Sequence, residues 1–160
     1  MRVILGGLIL MILTAGSCSK YPPSDGVSVD SELTKRIVKA PESVKIDGKE
    51  LVLSTELWRD FMPGVGERER SLRAAVSITD KSGGQIPTGM EFKRLYVTQN
   101  DTAWVQTISN SERSDKLIIR ANTTGGPEWA PDSEATVIAE FNHDDKTYKL
   151  RTTGVIRATY

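Results

Sequence analysis

The sequence predicts an all-β fold: a single antiparallel β-sandwich of seven to eight strands that follows an export signal and a flexible linker. Three observations predict it. From residue 43 onward, short runs alternate apolar and polar side chains with a period of two, so each run presents one face to a core. Clusters of Gly, Pro, Asn, Asp and Ser separate these runs at intervals of about 8–15 residues. No segment in that span carries a convincing helical period.

The chain opens with Met1-Arg2, an eleven-residue apolar run from Val3 to Leu13, and then Thr14-Ala15-Gly16-Ser17-Cys18. A charged start, a short apolar core and small residues at a cleavage point are the marks of a secretory signal. The uncharged stretch ends at Lys20 and is shorter than the roughly 20 apolar residues of a membrane-spanning helix. Signal peptide is therefore the expectation for residues 1–17.

The small residues Ala15, Gly16 and Ser17 before Cys18 resemble the lipobox of bacterial lipoproteins. Ala15 departs from the Leu or Val most frequent at that position. The resemblance implies cleavage between Ser17 and Cys18 and a diacylglyceryl thioether on the Cys18 sulfur. It also implies an acyl group, such as palmitate, on the new amino terminus. One acyl chain gives marginal membrane binding and two or three make it lasting. Ser19, in place of the Asp that signals inner-membrane retention, implies the outer membrane of a two-membrane cell envelope. Cys18 is the single cysteine, so the mature domain forms no internal disulfide, and lipidation accounts for an otherwise unexplained exported thiol.

Residues 18–41 read as the lipidated terminus and a flexible linker. Pro22 and Pro23 oppose regular structure at its start. Leu33, Ile37 and Val38 sketch one helical face over residues 31–39, but three apolar residues argue weakly for a helix and linker is preferred. A coil of that length would hold the domain about 25–30 Å from the lipid.

Residues 42–160 form the expected β-domain. Val44-Lys45-Ile46 runs into Asp47-Gly48, a pair suited to the positive φ values of a type I′ hairpin turn. Leu51, Leu53, Thr55 and Leu57 then share one face, opposite Val52, Ser54, Glu56 and Trp58. Leu72, Ala74, Val76 and Ile78 form a second apolar face. In the run from Phe92 to Thr98 the parity slips between Phe92 and Leu95, which predicts a β-bulge. Strands over 103–109 and 116–122 follow. Ala135, Val137, Ala139 and Phe141 make a further face, and Asn142 to Asp145 turns the chain back through Tyr148 and Leu150. Gly154 predicts a kink before the last run, Val155–Tyr160.

Strand number and spacing resemble an immunoglobulin-like or fibronectin-like domain, without the Cys-Trp-Cys core signature. That resemblance implies that loops 59–70, 99–102 and 123–132 meet at one end. Trp58, Phe61, Met62, Trp104 and Trp129 would then gather at a single pole. Two roles fit them: plugging the open end of the core, the preferred role, or serving as an exposed platform for a glycan or protein. Arg59-Asp60 and residues 67–70 read as solvated loop charges.

The 21 basic and 21 acidic residues balance. Loss of the signal removes only Arg2 among the charged groups, leaving about one net negative charge. A nucleic-acid partner, which selects a basic excess, is therefore not expected. His143, the single histidine, lies beside Asp144 and Asp145 in what reads as an exposed hairpin tip, a poor place to orient a catalytic base. Asn142 to Asp145 could offer oxygens to Ca²⁺, but a plain turn selects the same residues, so no metal and no cofactor are expected. The sequence thus favours a non-catalytic, lipid-anchored envelope protein that binds or spaces another envelope component. The alternatives are a carbohydrate-binding module using the tryptophan pole and a small accessory or inhibitor subunit of an envelope enzyme.

Overall fold

The computed structural model describes residues 23–64, 66, 70–113 and 116–160. The expected signal peptide, the Ser17–Cys18 cleavage point and the Cys18 lipidation site lie outside the described residues.

The described chain is all-β with one short helix. In order it forms β1 (Gly26–Val29), α1 (Ser31–Ile37), β2 (Ser43–Ile46), β3 (Lys49–Asp60), β4 (Leu72–Asp80) and β5 (Glu91–Gln99). β6 (Thr102–Thr107), β7 (Glu112–Arg113), β8 (Ile118–Gly126), β9 (Glu134–His143) and β10 (Lys146–Thr159) complete it. The strands run β1-β6-β5-β9-β10-β3-β4-β8-β7 across one continuous sheet, with β2 added against β3. That sheet curls into a half-barrel.

This corrects the expected antiparallel sandwich, and the cause is β10. Its residues from Lys146 to Val155 pair antiparallel with β9, and Ile156 to Thr159 pair parallel with β3. One strand therefore belongs to both halves, and the sheet is mixed. The switch falls next to Gly154, where a Cβ would lie 2.7 Å from Thr55 Cγ2. β10 runs unbroken from Lys146 to Thr159 through the place where a kink was expected, and the glycine there admits the close approach of β3.

The inward faces follow the predicted alternation. Leu51, Leu57, Leu72, Val76, Ile78, Leu95, Val137, Phe141, Leu150 and Ile156 are buried in one core. Lys93 is the extra residue that shifts the β5–β9 register between Phe92 and Arg94, in the place the parity slip predicted. Asp47 and Gly48 close the β2–β3 hairpin with φ of 49° and 75°.

Residues 26–37, expected within a flexible linker, are built into the fold. β1 pairs with β6 from Gly26↔Val105 to Val29↔Thr102, and the Asp25 carboxylate accepts from both the backbone N–H and the hydroxyl of Thr107. Asp30 caps α1 by accepting from Leu33 N–H at 2.8 Å. Glu32 in the first turn and Lys35-Arg36 in the last suit the helix dipole. Leu33 and Ile37 are buried on Tyr96, Ala103, Val105 and Ile138, on the sheet face away from the main core. Seven residues cannot hold a helix alone in water; that second apolar cluster is what holds α1.

Candidate functional site

Of the three loops expected to meet, the described contacts join 59–70 and 123–132, and they do not form an aromatic platform. Arg59, at the end of β3, ties the loops together. It is 6% exposed. Its Nε donates to the Arg70 carbonyl at 2.7 Å, and Nη1 donates to the carbonyls of Glu128 and Trp129. Nη2 pairs with the Glu128 carboxylate at 3.2 Å, and the guanidinium lies 5.0 Å from the centre of the Phe61 ring. The expectation of a solvated loop charge is overturned here: Arg59 falls on the inward parity of β3, at the level where the core ends. Its guanidinium closes that end by satisfying carbonyls from two loops.

The three tryptophans have three different surroundings. Trp104 is 1% exposed, inside the main core, so it has no surface to offer a ligand. Trp129 is partly buried and packs against the same core. Trp58 takes the outward parity of β3 and is half-buried. Phe61 stacks on Tyr160 with ring centres 6.0 Å apart, and Met62 beside it is exposed. The plugging role therefore belongs to Trp104 and Trp129, and Trp58 alone faces outward from the sheet.

Trp58 lines a cleft of about 620 Å³ where β3 and β10 come together. Thr55, Glu56, Val155, Arg157 and Thr159 form its polar and apolar walls. Val155 is 48% exposed, an unusual setting for a valine in the middle of a long strand. An aromatic ring beside an arginine and threonine hydroxyls offers both a stacking surface and hydrogen-bond partners.

At the opposite end of the half-barrel, two turns meet. The Asp47-Gly48 turn joins β2 to β3, and the Asp144-Asp145 turn joins β9 to β10. His143 is not exposed at a hairpin tip, as its turn-like neighbours suggested; it is 5% exposed and lies between the two turns. Its Nε2 is 3.2 Å from Asp47 Oδ2 and 3.3 Å from Asp144 Oδ2. These three residues bring ligand atoms within 4.8 Å of one another. Asp47 contributes from 96 residues away, so the local sequence around His143 could not reveal it.

Asp80 closes the same end nearby. It accepts from the Ser82 hydroxyl at 2.6 Å and pairs with Lys49 Nζ at 3.8 Å. The Ser82 hydrogen bond holds its carboxyl below the ordinary carboxylate range, against the opposing effect of burial.

Comparison with known protein families, with curated proteins and with solved structures finds no match to this chain. What the fold defines is a curled, mixed-sheet β-domain with one end sealed by an arginine and the other by two hairpin turns. Among the described residues no helix is long and apolar enough to cross a membrane.

Proposed function

We propose that the protein is a non-catalytic, lipid-tethered module of a bacterial cell envelope, and that its β-domain binds or spaces another envelope component. The lipobox-like Ala15-Gly16-Ser17-Cys18 sequence after the apolar run carries this reading. Its geometric support is the position of the first folded residues. Asp25 is hydrogen-bonded to Thr107 and β1 starts at Gly26, so only Ser19 to Asp25 separate Cys18 from the domain. Were these seven residues a flexible coil, they would span about 13–16 Å, roughly half the expected reach. A tether that short would keep the domain close to the bilayer surface.

The test is fractionation of cells making the native chain or Cys18→Ser. The native chain is expected in the membrane fraction after salt washing and the variant in the soluble fraction. Membrane retention of Cys18→Ser in the washed fraction would refute the tether.

A second reading, glycan binding, is favoured by one observation: Trp58 is half-buried in a cleft with Arg157 and two threonines. Trp58→Ala should abolish retention on insoluble cell-wall polysaccharide if this reading holds. Equal retention of native protein and variant would rule it out.

A further inference from the structure

The meeting of the two hairpin turns has a chemistry of its own. His143 Nε2 faces two carboxylate oxygens at 3.2 and 3.3 Å, while His143 Nδ1 is buried with no hydrogen-bond partner among the described residues. Neither neutral tautomer of the ring is satisfied by this arrangement. With the proton on Nδ1, the Nε2 lone pair points at two anionic oxygens. With the proton on Nε2, a single N–H is divided between two acceptors, and Nδ1 is left as a bare buried acceptor. Both separations also exceed the roughly 2.7–2.9 Å of a charge-assisted N–H···O bond.

Those two separations from Nε2 match another geometry. Ligand atoms bound at about 2.0–2.1 Å to a tetrahedral ion lie roughly 3.3 Å apart along each edge of the tetrahedron. The geometry points to a divalent transition-metal site, of the zinc class, formed by His143 Nε2, Asp47 Oδ2 and Asp144 Oδ2. One imidazole nitrogen with two carboxylates suits zinc and its neighbours, and is a poor set for Ca²⁺ or Mg²⁺, which favour oxygen alone. Because the Asp47 and Asp144 side chains are 66% and 82% exposed, the fourth position opens to solvent and takes water. A cation here removes the repulsion between the Nε2 lone pair and the carboxylates.

Its consequence is a cross-link between distant parts of the chain. Asp47 belongs to the β2–β3 turn and the other two ligands to the β9–β10 hairpin, so the ion pins the two turns to each other. Both aspartates already have their backbones fixed at φ of 49° and 45°, so little further ordering is needed. The site is independent of the lipid tether and of the Trp58 cleft.

The test uses the untagged full chain in detergent, stripped with chelator and then titrated with Zn²⁺, Co²⁺, Ca²⁺ or Mg²⁺. Zn²⁺ is expected to bind with one-to-one stoichiometry and raise the melting temperature by several degrees. Co²⁺ should give the visible absorption band of a four-coordinate site, and Ca²⁺ and Mg²⁺ should do neither. Asp47→Asn keeps a side chain that tolerates positive φ, so it should preserve the metal-free melting temperature while weakening Zn²⁺ at least tenfold. His143→Gln should remove the Co²⁺ band. Absence of saturable Zn²⁺ binding would overturn the assignment. So would binding unchanged by Asp47→Asn, since the ion would then sit elsewhere.

Discussion

Gly126 lies against the face of Trp104: a Cβ at residue 126 would come within 2.7 Å of Cε3 and 2.8 Å of Cζ3. The glycine sits where β8 pairs with Leu72 of β4, so the indole fills the space that a side chain would otherwise occupy. Gly126→Ala is expected to destabilise the domain by about 1–3 kcal/mol through overpacking. Urea unfolding followed by tryptophan fluorescence measures it, and an unchanged midpoint would show that the indole moves aside at no cost.

Arg59 is expected to matter as much for stability as a large core residue. Arg59→Met leaves the carbonyls of Arg70, Glu128 and Trp129 without their donor and should cost about 2–4 kcal/mol. Arg59→Lys should recover little of it, because an ammonium cannot reproduce the planar fork that reaches two loops. Thermal melts of the two variants decide the point: full recovery by lysine would reduce Arg59 to a charge.

Asp80 should give the acid limb of the stability curve part of its slope. Its carboxyl is depressed in the folded state by the Ser82 hydroxyl, so its contribution is complete above the ordinary aspartate value. That contribution is lost as pH falls through the lower folded value, and acid therefore destabilises. Asp80→Asn should be less stable than the native chain at neutral pH, and the difference should shrink below about pH 4. Chemical denaturation at a series of pH values checks the convergence.

Removing residues 1–41 should damage the fold rather than merely shorten a linker. Without α1, the apolar side chains of Tyr96, Val105 and Ile138 lose their cover. The truncated chain is expected to bind a hydrophobic dye and melt earlier than the native protein. The single substitution Leu33→Ala should cost about 2–3 kcal/mol by the same route. A truncated chain that melts with the native one would show α1 to be dispensable.

How much of this was legible in the residues depends on which side of the sheet is considered. The inward face could be read directly, because the buried Leu72, Ala74, Val76 and Ile78 alternate with the half-buried Arg73, Ala75, Ser77 and Thr79. The helix-covered face could not be read by alternation, since its strands are apolar at consecutive positions. Leu95-Tyr96-Val97, Ala103-Trp104-Val105 and Val137-Ile138-Ala139 are buried on both faces. Such runs signal strands covered twice. They call for a covering element, and Leu33 with Ile37 supplies it.

Site residues were less legible for a related reason. Arg59 and His143 are polar residues at inward positions near strand ends, where parity predicts burial and residue type predicts solvent. Parity prevailed in both, because each found partners from distant loops. Those partners, Glu128 and Asp47, lie 69 and 96 residues away, beyond what any local pattern encodes. The mixed sheet was hidden likewise: Gly154 marked the place in β10 without naming β3 as the partner beyond it.

The shared strand β10 also fixes when this domain can be completed. Its parallel pairing sets Ile156 beside Leu57, and among the described residues no earlier segment takes that place in the sheet. A chain leaving a ribosome or an export channel amino end first therefore cannot close its two halves until residues 156–159 have emerged. Until then the Leu57–Asp60 end of β3 lacks its β10 partner, the state in which strands join the wrong neighbour. If Cys18 is acylated by then, the unfinished chain waits for closure while already confined to the membrane plane.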